Sequence, residues 1–265
     1  MPPPIKLSSP ATREFWEIPV LFEDEHLLAL NKPALFATSP DRFDPERPSL
    51  MKLLHQGIER GAPWASERRL TYLMNAHRLD AETSGVLLLA RSKQILATLA
   101  DLFSSEKVNL TCVALVQGVP PKDTMVAEAR LAPDAAGNGL MRVDQKGGKR
   151  SRTEFRIRER FAGYALLECR PLTHRPHQVR VHLSHAGFPI AGDLTYRGSP
   201  LLLSQLKPEY RLKPKKTERP LLSHPALHVE KLSLVHPVTA AEIIAVAPWQ
   251  RDLTVAVKYL RRYAS

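Results

Sequence analysis

Three short segments of the sequence concentrate side chains that could take part in chemistry. HRLDAETSG, at residues 77–85, runs directly into the apolar run VLLLA. RPLTHRPHQVRVHLSHAG, at residues 170–187, carries arginines and four histidines, and AGDLTYRG follows at residues 191–198. Asp80 stands out because a carboxylate at the edge of an apolar core is rarely placed there without a partner. An arginine would keep Asp80 ionised and oriented for catalysis, although the pattern alone does not identify that arginine.

The second segment contains enough imidazoles for a metal site. His177 and His182 are five residues apart, a poor spacing for one helix face, whereas His182 and His185 are three apart. No carboxylate accompanies them in the HExxH arrangement of zinc enzymes. We therefore expect His174, His177, His182 and His185 to be polar helix residues beside a phosphate-binding surface, without a metal.

Two other kinds of active site are disfavoured, namely a nucleophilic serine or cysteine and a phosphate-binding loop. The triplet TSG lacks the G-x-S-x-G elbow of serine hydrolases. Cys112 lies among valine and leucine, where cysteine is usually a small apolar side chain. DQKGGKRSR, at residues 144–152, contains glycines and basic residues but not the P-loop spacing.

The charge of the chain indicates a polyanionic partner. Lysine and arginine number 38 against 27 acidic residues, which gives a net charge of +11 and a pI near 9.8. Nucleic acid and an anionic membrane surface are the candidates. Basic residues concentrate at residues 142–160 and 205–220, so we expect these two runs to follow a nucleic-acid backbone.

Cysteine content and hydropathy indicate a reducing compartment. The two cysteines, Cys112 and Cys169, are too few for a disulfide framework. The N-terminus MPPPIKLSSPATREFW lacks the apolar core of a signal peptide. No window approaches the ~18 consecutive apolar residues of a membrane span. We expect a cytoplasmic protein that does not enter the membrane.

The elements that must position these segments alternate irregularly, which predicts a single α+β domain. We expect a flexible tail over residues 1–14 and one domain over residues 15–265. IPVLFEDEHLLALNKP predicts a hairpin, RSKQILATLADLFSSEKV a helix capped by Ser92, and LTCVALVQG a buried strand. PHQVRVHLSHAG suits a strand or a helix, and Pro176 in the first turn with Gly187 as the C-terminal cap favours a helix.

Several of these segments together resemble the RluA-type pseudouridine synthases. HRLDAETSGVLLLARS resembles the family signature HRLD, two residues, TSG and an apolar strand. HRPHQVRVHLSHAGFPIAGDLTYRG resembles its second signature, and VLFEDEHLLALNKPA, ALVQG and LSLVHPVT resemble other family segments. The order and spacing agree over roughly residues 18–253.

The resemblance implies a cofactor-free enzyme that isomerises uridine in RNA to pseudouridine. It implies a bent, mostly antiparallel mixed sheet flanked by helices, with a central RNA-binding cleft. Asp80 matches the catalytic aspartate, which attacks the flipped-out uridine at the base or at the sugar C1′. Arg180 matches the arginine that pairs with this aspartate, and Val179 matches the apolar residue beside the base. His77 and Arg78 match residues that frame the loop, where Arg78 helps to prise out the base.

Three positions depart from the family pattern. Cys112 occupies the place of a tyrosine that contacts the target base, and a thiol cannot replace the stacking of a phenol ring. His174 replaces a glycine, and Pro176 replaces a threonine. The remaining residues that we expect to contact RNA are Arg175, His177, Lys149, Arg150, Lys215 and Lys216.

Two functions remain open on these grounds. The first is a monomeric pseudouridine synthase that acts on structured ribosomal or transfer RNA without a separate RNA-binding module. The second is an RNA-binding or RNA-chaperone protein that has the same fold with weak or lost catalysis. Cys112 favours the second, whereas the presence of both Asp80 and Arg180 favours the first.

Overall fold

The protein is described from a computed structural model that covers residues 2–40, 44, 46–137, 139–207, 209–211 and 216–264. The chain divides into two compact units. The first unit comprises Met1–Asn109 and Val229–Pro248, and the second comprises Leu110–His228 and Trp249–Ser265. None of the helices in these described ranges combines the length and apolar character that a membrane crossing requires.

Strands and helices are intermixed along the chain, as the α+β prediction requires. The strands are β1 Ile5–Ser9, β2 Glu14–Ile18, β3 Val20–Glu23, β4 Leu27–Lys32, β5 Met74–Asn75, β6 Ser84–Ala90, β7 Asn109–Gln117, β8 Thr124–Pro133, β9 Met141–Val143, β10 Lys149–Phe161, β11 Tyr164–Pro171, β12 Leu227–Val235 and β13 Glu242–Val246. The helices are α1 Leu50–Glu59, α2 Pro63–Glu67, α3 Lys93–Ser104, α4 Gln178–His185, α5 Leu203–Leu206 and α6 Arg251–Tyr263, with a 3-10 turn at Leu194–Tyr196.

In the first unit, β6 is the central strand of the sheet. It pairs antiparallel with β4, which pairs in turn with β3, and the short β5 also pairs with β6. The residues VLLLA in β6 are completely buried, as expected for a core strand. Gly85 begins this run with φ +117°, and a Cβ atom there would lie 2.1 Å from the main-chain oxygen of Val229 on β12. The glycine of the TSG triplet is therefore required by the close approach of two strands.

The segment that the sequence predicted as a flexible tail contains ordered structure. β1 pairs antiparallel with β2, and Ile5 lies opposite Ile18. Both isoleucines are fully buried, and Leu7 is also buried. The alternation of apolar and polar residues in IKLSS is the period of a half-buried strand. The prediction was wrong for these residues because the proline and serine content of the segment concealed that alternation.

In the second unit, the strands form an antiparallel sheet in the order β7, β11, β10, β8, β9. The ambiguous segment PHQVRVHLSHAG forms the helix α4, as predicted. Gly187 follows its C-terminus with φ +86°. Pro176 does not lie in the first turn, because His177 is the N-cap residue and the helix begins at Gln178. The proline therefore fixes the approach to the helix and not its first turn.

Candidate active site

Asp80 lies in the turn between β5 and β6, where it is half-buried. Thr83 donates its main-chain N–H to the main-chain oxygen of Asp80 at 3.1 Å, which closes the turn just before β6 begins. The buried strand β6 fixes one end of this turn, so the main chain that carries Asp80 is held in place on that side. The predicted position of Asp80 at the edge of the core is confirmed.

Two side chains from one segment hold the main chain on both sides of Asp80. The hydroxyl of Thr38 donates to the oxygen of Leu79 at 2.7 Å and accepts from the N–H of Leu79 at 3.3 Å. Nζ of Lys32 donates to the oxygen of Ala81 at 3.2 Å. The residues immediately before and after the aspartate are therefore both fixed through long-range hydrogen bonds.

Lys32 is fully buried, which is rare for a lysine. Besides Ala81, its ammonium donates to the main-chain oxygens of Pro33 at 2.8 Å and Phe36 at 2.6 Å. Burial lowers the pKa of Lys32 from its ordinary value to about 7, although the charges of Asp80 and Glu82 oppose this shift. In the sequence, this lysine was only part of the segment predicted as a hairpin, and its contact with the turn of Asp80 was not foreseen.

His77 and Arg78 occupy different environments on the approach to Asp80. Leu88 of β6 donates its N–H to Nε2 of His77 at 3.1 Å. The ring of His77 also stacks on Phe103 of α3, with centroids 5.1 Å apart. Arg78 is exposed. His77 is therefore anchored in the first unit, and only Arg78 presents its side chain to solvent beside the aspartate.

In the second unit, Arg180 forms a buried ion pair with Asp193. Nε of Arg180 lies 2.7 Å from Oδ2 of Asp193, and Nη2 lies 2.8 Å from Oδ1. The two side chains are 3% and 1% exposed. The guanidinium carbon also lies 5.0 Å from the centroid of the Tyr196 ring. This bidentate geometry fixes the plane of the guanidinium group of Arg180.

The same tyrosine holds His177 at the start of α4. The hydroxyl of Tyr196 accepts from the N–H of Met141 at 2.9 Å and lies 2.6 Å from Nδ1 of His177. His177 has φ +52°, a left-handed conformation that is uncommon outside glycine. Asp193 and Tyr196 belong to AGDLTYRG, which the sequence singled out without giving a role to either residue. Their roles come from long-range contacts, since Asp193 binds Arg180 and Tyr196 binds His177.

His182 is one link in a buried chain of hydrogen bonds beneath α4. Gln178 donates to the hydroxyl of Thr153 at 2.9 Å, and that hydroxyl lies 2.9 Å from Nδ1 of His182. Nε2 of His182 lies 2.8 Å from the hydroxyl of Ser151, which donates to the oxygen of Ala129 at 2.7 Å. Burial lowers the pKa of His182 to about 4, with a smaller contribution from His185. His182 is therefore neutral and structural.

No group of histidine, cysteine, aspartate or glutamate side chains in the described part of the chain could hold a metal ion. Cys112 is 4% exposed and lies directly opposite Cys169 in the register of β7 and β11. Burial raises the pKa of the Cys169 thiol well above its ordinary value, and Cys112 contributes to the shift. Val179 is buried in α4. The buried position of Cys112 agrees with its interpretation as a small apolar residue.

The residues expected to contact RNA fall into several places. Lys149 and Arg150 are exposed at the start of β10, and Arg175 donates from Nε to the main-chain oxygen of Arg150 at 3.2 Å. The structure therefore brings Arg150 and Arg175 together. Lys216 is exposed, and Lys215 lies outside the described residues.

Comparisons of this chain with known proteins all identify the same family. Residues 26–185 match the family model described as RNA pseudouridylate synthase. The chain is 34% identical over 248 residues to ribosomal large subunit pseudouridine synthase D of Xylella fastidiosa, covering 91% of this chain and 69% of that protein. It is 33% identical over 245 residues to ribosomal large subunit pseudouridine synthase C of Escherichia coli, covering 91% and 70%.

A solved structure supports the same fold. The structure of human RNA pseudouridylate synthase domain containing 4 superposes with a TM-score of 0.67 at 23% identity. The match covers 91% of this chain and 92% of the human one. At this level of identity the similarity shows a shared fold and nothing more. That fold agrees with the predicted mixture of antiparallel strands and helices.

Proposed function

The chain belongs to the RNA pseudouridylate synthase family, and from this premise we propose that Asp80 is its catalytic carboxylate. The protein is an RNA pseudouridine synthase, an enzyme that isomerises uridine in RNA to pseudouridine. The observation that carries the assignment of Asp80 is the restraint of its two neighbours. Thr38 holds Leu79 and Lys32 holds Ala81, so the aspartate between them has a fixed main chain.

The reaction requires a group that attacks the target nucleotide and then leaves it. An ionised Asp80 would attack the uridine at the base or at C1′ of the sugar. The bond between N1 and C1′ breaks, the base turns, and a bond forms between C5 and C1′. The proton on C5 is lost and N1 gains a proton, so the product is an isomer of the substrate. A fixed main chain reduces the conformational freedom that Asp80 must lose on the way to the transition state.

Arg180 is proposed to support the aspartate, as the family resemblance implies. Asp193 binds the edge of the guanidinium group that contains Nε and Nη2. These bonds fix the plane of the guanidinium group that is proposed to support the aspartate. The pairing of Arg180 with Asp80 stays a prediction.

Arg78 and the other basic residues are proposed to hold the RNA while the base is out of its stack. Arg78 is exposed two residues from Asp80, and a target base must leave the helix before a protein side chain can reach it. His77 has a different role in our proposal, because Leu88 and Phe103 hold its ring within the protein. It orients the main chain that leads to the aspartate.

Ribosomal RNA is the substrate that the relatives favour. Both relatives described above are named as synthases of the large ribosomal subunit. Transfer RNA receives no comparable support. The comparisons with known proteins give no support to the alternative of an RNA-binding protein without catalysis. The monomeric state and the cytoplasmic location stay predictions.

The decisive experiment maps pseudouridine in the large-subunit RNA of cells with and without this protein. A uridine that is converted only in its presence identifies the target. Cells that produce Asp80→Asn should lack the modification, whereas Glu82→Gln, a matched change in the same turn, should retain it. Loss in both variants would indicate a general disturbance of the turn, and retention in Asp80→Asn would remove Asp80 from the mechanism.

A further inference from the structure

The second unit carries a concentration of arginines on one face of its sheet. Ser151, Thr153 and Phe155 of β10 are buried, so the alternate residues of this strand point to the opposite, outward face. The register extends this face to β8 and β11. We call it the arginine face, and its charged residues are Arg130, Arg150, Arg152, Arg156, Arg158, Arg170, Glu128, Glu154 and Glu168.

The arginine face is separate from the face that carries Arg180. Ser151 and Thr153 contact His182 of α4 on the buried side of β10. The helix α4, which also contains Arg180, therefore packs on one side of the sheet, and the arginines lie on the other. Their function is not explained by the arrangement around Arg180.

Three arginines on this face share one buried carboxylate. Nη2 of Arg156 and Nη2 of Arg158 lie 2.9 Å and 3.1 Å from Oε2 of Glu168, and Nε of Arg170 lies 3.1 Å from Oε1. Burial would raise the pKa of Glu168, but the hydrogen bonds from Arg156 and Arg158 outweigh it, and the pKa lies below its ordinary value. Glu168 is thus an anion that three arginines share.

The side chains around Glu168 are accessible to a partner. The side chains of Arg156 and Arg170 are 61% and 59% exposed. A pocket beside them includes Val126, which is itself 51% exposed. The pocket thus combines guanidinium groups with an apolar surface, a combination that suits a nucleotide, whose phosphate is anionic and whose base is flat and apolar on its faces.

Arg130 and Arg150 are a second place on the arginine face where positive charges lie close together. The two residues lie directly opposite each other in the register of β8 and β10. Like charges at directly opposed positions of a sheet are destabilising. An anion that lies across the two strands would remove this repulsion.

From this arrangement we propose that the arginine face binds the sugar–phosphate backbone of RNA outside the segment that is modified. This inference rests on the proposed function, because an enzyme that acts on RNA meets this polyanion as its substrate. Alternate residues of a strand repeat every ~6.6–6.8 Å, so Arg150, Arg152 and Arg156 lie along one line on β10, with Glu154 between the last two. The exposed pairs of Arg152 with Glu128 and Glu154 cost little to exchange for phosphate. Phosphate contacts of this kind position an RNA without reading its sequence.

The test measures the affinity for a fluorescent oligoadenylate against salt concentration. This probe contains no uridine, so binding does not depend on catalysis. For Arg156→Gln with Arg170→Gln, the slope of log affinity against log salt should become less steep by ~1.4, because each phosphate contact on a single strand contributes ~0.7. Arg60→Gln with Arg251→Gln removes the same charge from two exposed residues elsewhere, and the wild-type slope should remain.

A gain of charge on the same face keeps the proposal testable if the double variant unfolds. Val126→Lys breaks no ion pair and should steepen the slope by ~0.7. Equal slopes in the Val126→Lys variant and the wild type would overturn the proposal, as would equal changes in the double variant and its control. Loss of binding to vesicles that contain phosphatidylglycerol, with an unchanged RNA slope, would assign the face to a membrane and would also overturn it.

The two proposals fail in different assays. Asp80→Asn should abolish pseudouridine formation and leave the oligoadenylate slope unchanged. If Asp80→Asn still forms pseudouridine, the proposed function of Asp80 fails. If only the slope fails to respond to the arginine variants, the inference about the arginine face fails and the proposed function remains.

Discussion

Nζ of Lys32 lies 3.2 Å from the main-chain oxygen of Ala81, although 49 residues separate the two in the sequence. With the hydroxyl of Thr38 on Leu79, this bond holds the main chain on either side of Asp80. The attack on the flipped-out uridine that we propose for Asp80 requires a defined position before the substrate arrives. The segment from Lys32 to Thr38 supplies it.

Removal of the Thr38 hydroxyl should reduce catalysis more than RNA binding. Thr38→Val retains the shape of the side chain but leaves the N–H and the oxygen of Leu79 without this partner. We expect a loss of ~1–3 kcal/mol in the free energy of unfolding and a kcat lower by about tenfold with little change in KM. Thr38→Ser keeps a hydroxyl and should restore both quantities. An unchanged kcat in Thr38→Val would show that this bond does not position Asp80.

Lys32 should give the protein a distinctive dependence of stability on pH. Its pKa is about 7 in the folded state and close to the ordinary lysine value in the unfolded chain, so between these values the unfolded chain binds the extra proton. The free energy of unfolding therefore rises with pH above about 7, by at most ~1.4 kcal/mol per pH unit. Below pH 7 both states are protonated, and the cost of burying the charge is present in full.

The measurement compares denaturant unfolding of wild type and Lys32→Met from pH 6 to pH 9. Across this range the free energy of unfolding of the wild type should rise by roughly 1–3 kcal/mol relative to that of Lys32→Met, because methionine has no proton to lose. Parallel curves would mean that the pKa of Lys32 stays near its ordinary value.

The buried pair of Arg180 and Asp193 should be intolerant of the loss of one partner. Asp193→Asn removes the carboxylate charge that binds the guanidinium group of Arg180 in a bidentate manner, at a site where that side chain is 3% exposed. We expect a loss of about 3–5 kcal/mol in the free energy of unfolding. Arg261→Gln breaks the exposed bidentate pair with Glu159 and should cost less than about 1 kcal/mol. Comparable losses in the two variants, measured by chemical denaturation, would contradict the buried character of the first pair.

Cys112→Tyr should lower both stability and activity. The family resemblance places a tyrosine here, but the thiol is 4% exposed and lies opposite the fully buried Cys169. The added ring has to displace packed neighbours, at a cost of about 1–3 kcal/mol. Cys112→Ala removes one atom and is the matched control, with a smaller expected cost. Higher pseudouridine formation by Cys112→Tyr would show that the pocket still accepts the ring and that the natural cysteine limits catalysis.

The sequence by itself determined the local elements and the chemical character of the site. The apolar run after TSG predicted β6, and Ser92 predicted the start of α3, where its side chain accepts from the N–H of Ile95 at 3.2 Å. Pattern and spacing also distinguished helix from strand for α4. These features depend on residues a few positions apart, so the sequence carries them directly. The family signatures added the identity of Asp80 by resemblance.

Only the tertiary structure decided which side chains meet. Thr38 and Leu79 are 41 residues apart, and Arg180 and Asp193 are 13 apart, so no local period connects them. Arg180 was expected to have a carboxylate partner, but Asp193 could be recognised as one only after α4 and the following loop had packed. The pairing of β8 with β10 likewise determines that Arg130 and Arg150 lie opposite each other. Strand register is a property of the whole core, because shifting a strand by one residue exchanges its buried and exposed faces.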